Sequence, residues 1–241
     1  MHILETYATN CGLKIAKPHI YEQYFPLPFE KYITFFTDVK YPSRTYDCWK
    51  EVIDLIAPAL EKENIKIVQL GSNEGEQHYQ PCYNTISQAK VSQQAYVIKN
   101  SLLHISNDNY TVDVASGFGR KIISLYSNIN VNNTKPYWSE KEDCIIIEPP
   151  QKMDRPSYAH QEFPKTINSI MPDEIARAVF KLLDLKYEYP YEYLYFGQFY
   201  NQPHLNLIPD SLVTQYPINA PVTHLRMDLE FNEEIMVKNL S

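Results

Sequence analysis

Glycine is scarce in this 241-residue chain: there are six, about 2.5% where roughly 7% is usual. Neither GxGxxG nor GxxxxGK[ST] occurs, which excludes a glycine-rich phosphate loop of either kind. Cysteine is limited to Cys11, Cys48, Cys82 and Cys144, widely spaced and without a CxxC pair. That pattern argues against structural zinc or a redox dithiol, and for inert thiols in a reducing, cytoplasmic setting. The seven histidines form no HxxxH or HExxH pair, so neither a metal nor a cofactor is expected. No serine stands in GxSxG and no Cys–His spacing suggests an activated nucleophile. Long apolar runs are missing as well, which leaves no transmembrane segment, and His2, Glu5 and Asn10 interrupt the apolar core that a secretory leader would need. Cations are outnumbered, 22 Lys and Arg against 29 Asp and Glu for a net charge of −7, which disfavours nucleic acid and acidic membranes as partners.

What is present is a chain long enough for a substantial core, with 44% apolar residues and 20 tyrosines. From Tyr32 to Leu185 short apolar runs alternate with helical periodicity. The runs Tyr32–Phe36, Ile65–Leu70, Leu102–Ser106, Lys121–Tyr126 and Cys144–Ile147 predict buried strands. Trp49, Val52, Ile53, Leu55, Ile56 and Leu60 recur at three- and four-residue intervals and predict a helix, with Asp47 as its N-cap. Shorter helices are expected over Ser92–Asn100 and Tyr110–Phe118, and a further one opens at Pro172, with Asp173 and Glu174 in its first turn. This order predicts an α/β fold: a Rossmann-like, doubly wound, mainly parallel sheet whose ligands lie at the carboxyl ends of the strands. Residues 1–30, with Pro18, Pro26 and Pro28, read as a linker-like arm, residues 31–185 as the α/β domain, and residues 186–241 as an irregular, aromatic-rich tail or the start of a further module. In that tail the Tyr187–Tyr195 alternation reads as an edge strand with one packed face, a surface that stacks sugars or bases being its alternative; Leu225–Phe231 reads as a period-two strand, and Asn232 with Glu233 and Glu234 as a helix start.

Three stretches, KYITFFTDVK from Lys31, PSRTYDCWKEV from Pro42 and IVQLGSNE from Ile67, resemble the opening of one half of a known enzyme family. So do SLLHISND from Ser101 with Val114, Ala115, Gly117 and Ile122–Tyr126, and SIMPDEIA from Ser169 with Val179, Leu182 and Leu183. The family is the heptosyltransferase-like glycosyltransferases of lipopolysaccharide synthesis, and the half is the one that binds the nucleotide sugar. The resemblance covers residues 30–185, and the opening from His2–Tyr7 to Gly12–Ile15 and Pro18 resembles the linker before that half. It implies one Rossmann-like half of a GT-B fold, a nucleotide-diphosphate sugar as ligand, and an acceptor half supplied by another domain or subunit. Arg44 falls where the family has a phosphate-facing base, Glu74 (or, more weakly, Glu76) where it has a ribose-binding carboxylate, and Asp108, Asn109 and Tyr110 on its Asp-Thr/Ser-Gly turn. Lys40 and Asp113 are weaker candidates, and no catalytic residue is assigned.

The departures from the family pattern are specific. Tyr110 stands at the glycine of the turn and narrows the approach of a phosphate to the backbone. Asp113 stands at a histidine, where a like charge beside a diphosphate costs on the order of a few kcal/mol. The alternative function is therefore a catalytically inactive binding or interaction module on the same fold. Arg44, Glu74 and Lys40 have solvated surface charge as their alternative, and Asp108 a helix cap. Because the arm resembles an interdomain linker and the tail stops just after a strand, the chain is also expected to be a fragment or half of an assembled site.

Overall fold

Apolar runs that are hydrophobic on both faces need cover on both faces, and the structure supplies it. A computed structural model describes residues 1–37, 40–72, 76–150, 156–187, 204–207, 222–225 and 232–240. The chain divides into a larger unit, residues 1–152 with 160–188, and a smaller one, residues 153–159 with 189–241.

In the larger unit β1 (Tyr32–Phe36), β2 (Lys66–Leu70), β3 (Tyr83–Asn84), β4 (Leu103–Asn107), β5 (Lys121–Leu125) and β6 (Cys144–Ile147) form one sheet in the order β3-β2-β1-β4-β5-β6. All neighbouring pairs are parallel. The five strands expected between Tyr32 and Ile147 are all present, displaced by at most a residue at their ends; β3, two residues at an edge, carries too little apolar sequence to be expected.

Parallel neighbours require crossovers, and helices provide them. One face of the sheet carries α2 (Trp49–Lys62) packed against α6 (Pro172–Leu183), and the other carries α3 (Val91–Lys99) against α4 (Tyr110–Gly117), while the single-turn α5 (Val131–Thr134) follows β5. This is a Rossmann-like doubly wound fold. Alternation along the strands divides the core. Tyr32, Phe36, Val68, Leu70 and Ile122 join Val97, Ile98, Val112 and Ala115 beneath α3 and α4. Phe35 instead stacks edge-on with Trp49 at 5.5 Å, and Trp49 in turn meets Tyr46 at 5.2 Å. Pro58 lies inside α2 on its exposed side, where the carbonyl left without an amide partner can take water. Asp47 does not cap α2: Cys48 holds that position without a side-chain bond. The Asp47 carboxylate is drawn instead to Lys165 Nζ at 2.7 Å and Asn168 Nδ2 at 2.7 Å, which tie the start of α2 to the segment before α6.

The N-terminal residues begin with α1 (Ile3–Cys11), whose N-cap His2 accepts the Leu4 N–H and whose Glu5 accepts the His2 N–H. Gly12, at φ +65°, closes the helix in the left-handed conformation. The extended arm that follows runs along α3: Gln23 N–H donates to Ser92 O, Lys99 pairs with Glu22, and Phe25, Leu27 and Phe29 pack against the core. It also presses on α4, where a Cβ at Gly117 would stand 2.6 Å from Ile20 Cδ1 and 2.8 Å from Pro18 Cγ. Burial raises the pKa of the Cys48, Cys82 and Cys144 thiols, that of Cys82 to about 12, whereas Cys11 is exposed.

In the smaller unit β7 (His204–Leu207) pairs in parallel with β8 (Val222–Leu225), and α7 (Glu233–Leu240) is capped by Asn232, whose Oδ1 accepts from the Glu234 and Ile235 amides. Residues 226–231 of the expected period-two strand, and Tyr189–Tyr195 of the tyrosine alternation, lie outside the described residues. Tyr187 is described and stacks on Phe180 at 5.2 Å. Among the described residues no helix is long and apolar enough to cross a membrane.

Candidate functional site

In a 3-2-1-4-5-6 sheet the helices after β1 and β4 leave on opposite faces, so a crevice opens between the carboxyl ends of those two strands. A cavity of about 800 Å³ lies there. Phe36 at the end of β1 and Lys40, Tyr41 and Arg44 on the following loop form part of its wall; Asp108, Asn109, Tyr110 and Asp113, around the start of α4, form another part. His2, Ile3 and Leu4 from the opening of α1, and Thr134 and Trp138 from the segment after β5, complete it.

Six of the eight residues singled out from the sequence therefore converge on one cavity: Lys40, Arg44, Asp108, Asn109, Tyr110 and Asp113. Glu74 lies outside the described residues. Glu76 braces the loop after β2 rather than facing the cavity. Its carboxylate accepts the Ser72 N–H at 2.7 Å and the Thr37 hydroxyl at 3.5 Å, and it approaches Gly71 so closely that a Cβ there would lie 2.4 Å from Oε2.

The local chemistry of each wall follows from its neighbours. Arg44 donates from Nη1 to Asp108 Oδ2 at 3.3 Å, both side chains being about one-fifth exposed, and its guanidinium carbon lies 4.9 Å from the Tyr41 ring centre. Lys40 Nζ lies 5.7 Å from the same ring. Asn107, buried at the end of β4, donates to the Arg44 carbonyl at 2.5 Å and so fixes the backbone of the β1–α2 loop. Asp108 is not the cap of α4. That role falls to Asn109, whose Oδ1 accepts the Thr111 N–H at 2.8 Å and the Thr111 hydroxyl at 2.6 Å, while its Nδ2 donates to Ser106 Oγ and Asn107 O.

Burial raises the Asp108 pKa, with Arg44 and Tyr126 opposing it, and Asp113 is pushed up to about 6 by desolvation first and by Asp108 second. Asp113 nonetheless keeps substantial exposure, so water screens much of that repulsion. Tyr110 directs its hydroxyl away to Gln94 Oε1 at 2.7 Å and sets its ring edge-to-face with Phe36 at 5.6 Å.

Sequence reasoning missed Tyr41, Thr134 and Trp138, and treated His2 only as part of a linker. His2 Nε2 donates to Lys135 O at 2.9 Å and its ring lies 4.8 Å from Tyr137, while Trp138 Nε1 donates to Ala16 O at 3.0 Å. These contacts join segments more than a hundred residues apart, and no local spacing encodes them. Among the described residues no group of three or more His, Cys, Asp or Glu side chains could hold a metal ion.

No family model and no curated protein matches the chain. Solved structures do. The iron-containing dodecameric glycosyltransferase TibC of enterotoxigenic E. coli is similar at a TM-score of 0.53 and 7% identity, over 72% of this chain and 52% of that one. The ADP-heptose lipopolysaccharide heptosyltransferase II of E. coli matches at 0.48 and 17% identity, over 75% of this chain and 51% of that one. A family 9 glycosyl transferase from Veillonella parvula matches at 0.49 and 16% identity, over 75% and 50%. The chain thus spans about half the length of each. At these identities the likeness is one of fold, and it is with glycosyltransferases.

Proposed function

We propose that the cavity over β1 and β4 is the donor site of a glycosyl-transferring protein. In this reading residues 31–185 bind a nucleoside-diphosphate sugar in the cytoplasm as one half of a GT-B arrangement, and another domain or subunit brings the acceptor and the base. The observation that carries the reading is the coincidence of a switch-point cavity with two cations on its wall, Lys40 and Arg44. TibC, a glycosyltransferase of the same fold, is in keeping with a role in sugar transfer. The chemistry would be rupture of the bond between the anomeric carbon and the diphosphate, attack by an acceptor oxygen on an oxocarbenium-like centre, and stabilisation of the departing negative charge by Arg44 and Lys40. Glu74 is the proposed ribose partner.

Calorimetric titration with ADP, UDP, GDP and their sugars tests this. One base should bind with a Kd of about tens to hundreds of micromolar, Arg44→Ala should weaken it about tenfold, and Asp113→His, which removes a negative charge, should tighten it. No binding at millimolar nucleotide would overturn it. The second reading, a binding module without catalysis, is favoured by Asp113 and by the Asn109 cap, which place a carboxylate and an occupied amide where a diphosphate would approach α4. Nucleotide binding without sugar transfer when an acceptor domain is supplied would support it.

A further inference from the structure

We infer that His104 is a positioning residue of the cavity: it meets no ligand itself, but through a closed circuit of hydrogen bonds it sets where the turn into α4 holds Asp108 and Tyr110. This rests on the nucleotide-sugar reading above and adds to it a residue inside the sheet on which binding depends.

The circuit runs through β1, β4 and the start of α4. The Thr34 hydroxyl on β1 lies 3.0 Å from His104 Nδ1, and His104 Nε2 lies 2.8 Å from Thr111 Oγ1. Thr111 donates to Asn109 Oδ1 at 2.6 Å, Asn109 Nδ2 donates to Ser106 Oγ at 2.5 Å, and Ser106 donates to Phe36 O at 3.0 Å. Phe36 is two residues beyond Thr34, so the circuit closes on the strand where it began. Thr34, His104, Ser106 and Thr111 are all fully buried.

Each hydroxyl has one proton, and that fixes the direction of the circuit. With Thr111 spent on Asn109, His104 donates from Nε2 and accepts from Thr34 at Nδ1. The imidazole N–H occupies the Thr111 oxygen and so keeps the hydroxyl proton turned to Asn109 rather than to a backbone carbonyl of the helix. Asn109, bonded through both its amide oxygen and its amide nitrogen, carries the chain from β4 into α4, and its sequence neighbours Asp108 and Tyr110 line the cavity. Asp108 in turn holds Arg44.

Packing alone does not call for a histidine here. The flanking Leu103 and Ile105 are also buried, and an apolar residue between them would avoid the cost of drying an imidazole. Nor does the fold depend on its bonds. Without them Thr34 can donate to Leu103 O or Ser101 Oγ, each 3.3 Å away, and Thr111 still has Asn109. Removing the imidazole therefore strands no buried donor. What it removes is the constraint that aims Thr111 at Asn109.

The test sets His104→Leu, of similar size, against His104→Gln, whose amide can still donate to Thr111. ADP, UDP and GDP are titrated by calorimetry into the wild type and both variants. His104→Leu should weaken the tightest of the three by about fivefold or more, while His104→Gln stays within about twofold of the wild type. In the unliganded proteins the Asn109 side-chain amide protons, followed by NMR, should exchange with water about tenfold faster in His104→Leu and at nearly the wild-type rate in His104→Gln. Unchanged exchange in a folded His104→Leu, or equal losses in both variants, overturns the positioning role. Nitrogen NMR of the wild type should place the imidazole proton on Nε2; a proton on Nδ1 reverses the circuit and overturns the inference even where a variant does not fold. If the wild type binds none of the nucleotides, the nucleotide-sugar reading fails alone, and the Asn109 exchange still decides the positioning.

Discussion

His104 shows how a polar residue is accommodated in a fully buried strand. Its Nδ1 lies 3.0 Å from the Thr34 hydroxyl and its Nε2 2.8 Å from the Thr111 hydroxyl. Because Thr111 gives its only hydroxyl proton to Asn109, it must accept from His104, which places the imidazole proton on Nε2. Burial holds the His104 pKa down to about 3, against the ordinary 6.5. As pH falls below 6.5 the unfolded chain takes up a proton that the folded one refuses. The stabilising effect of this depression is thus complete above that pH and is lost progressively toward about 3, with a slope of up to about 1.4 kcal/mol per pH unit. Compared with His104→Gln, which cannot titrate there and shares the opposing contribution of the raised Asp113 carboxyl, the wild type should lose urea midpoint between about pH 6.5 and pH 4.5 while its His104 ring resonances stay unshifted; a ring resonance titrating near pH 6 would contradict this. In the sequence His104 is legible only as a histidine without a metal-binding partner. Its neighbours Thr34 and Thr111 come from β1 and α4, and spacing along the chain does not announce them.

At the scale of elements the sequence is more informative, because burial imposes periodicity. The runs from Tyr32 and Cys144 match their strands end to end, and the apolar stripe of α2 is the one that its spacing predicts. Caps are less legible. Asp47 and Asp108 are both good capping types, yet each is claimed by a distant cation, Lys165 and Arg44, and the cap passes to a neighbour. Gly117 illustrates the same limit: nothing local marks it as more than a weak spot in α4, and its reason is the arm residues Pro18 and Ile20 lying against it. Gly117→Val should push that part of the arm off α4. Trypsin cleavage after Lys14 should accelerate, with about 1–3 kcal/mol of stability lost to overpacking. An unchanged digestion rate would show that the arm adapts in place.

For the whole molecule, the alternation of strands and helices is enough to predict the doubly wound sheet, and the sheet alone predicts where a ligand would lie. The identity of the ligand is less legible because the cavity wall is assembled from α1, the β1 and β4 loops and the segment after β5, each contributing a few residues. The cavity residues drawn from the resemblance fall on the β1 and β4 loops and the first turn of α4, whereas His2, Ile3, Leu4, Thr134 and Trp138 come from elsewhere.

The strand order also sets a timetable. β1 lies between β2 and β4, and its residue Thr34 meets His104 from 70 residues further along. A central strand whose second neighbour is so distant must wait for a large loop to close, which places refolding in the range of about milliseconds to seconds. Stopped-flow fluorescence can follow this, since both tryptophans, Trp49 and Trp138, belong to the larger unit; a submillisecond rise of the full signal would contradict it. During synthesis the consequence is directional. Until Asn107 has left the ribosome, one edge of a strand whose five residues are all buried in the folded protein has no partner, and the nascent chain is most exposed to aggregation and to chaperone capture in that interval.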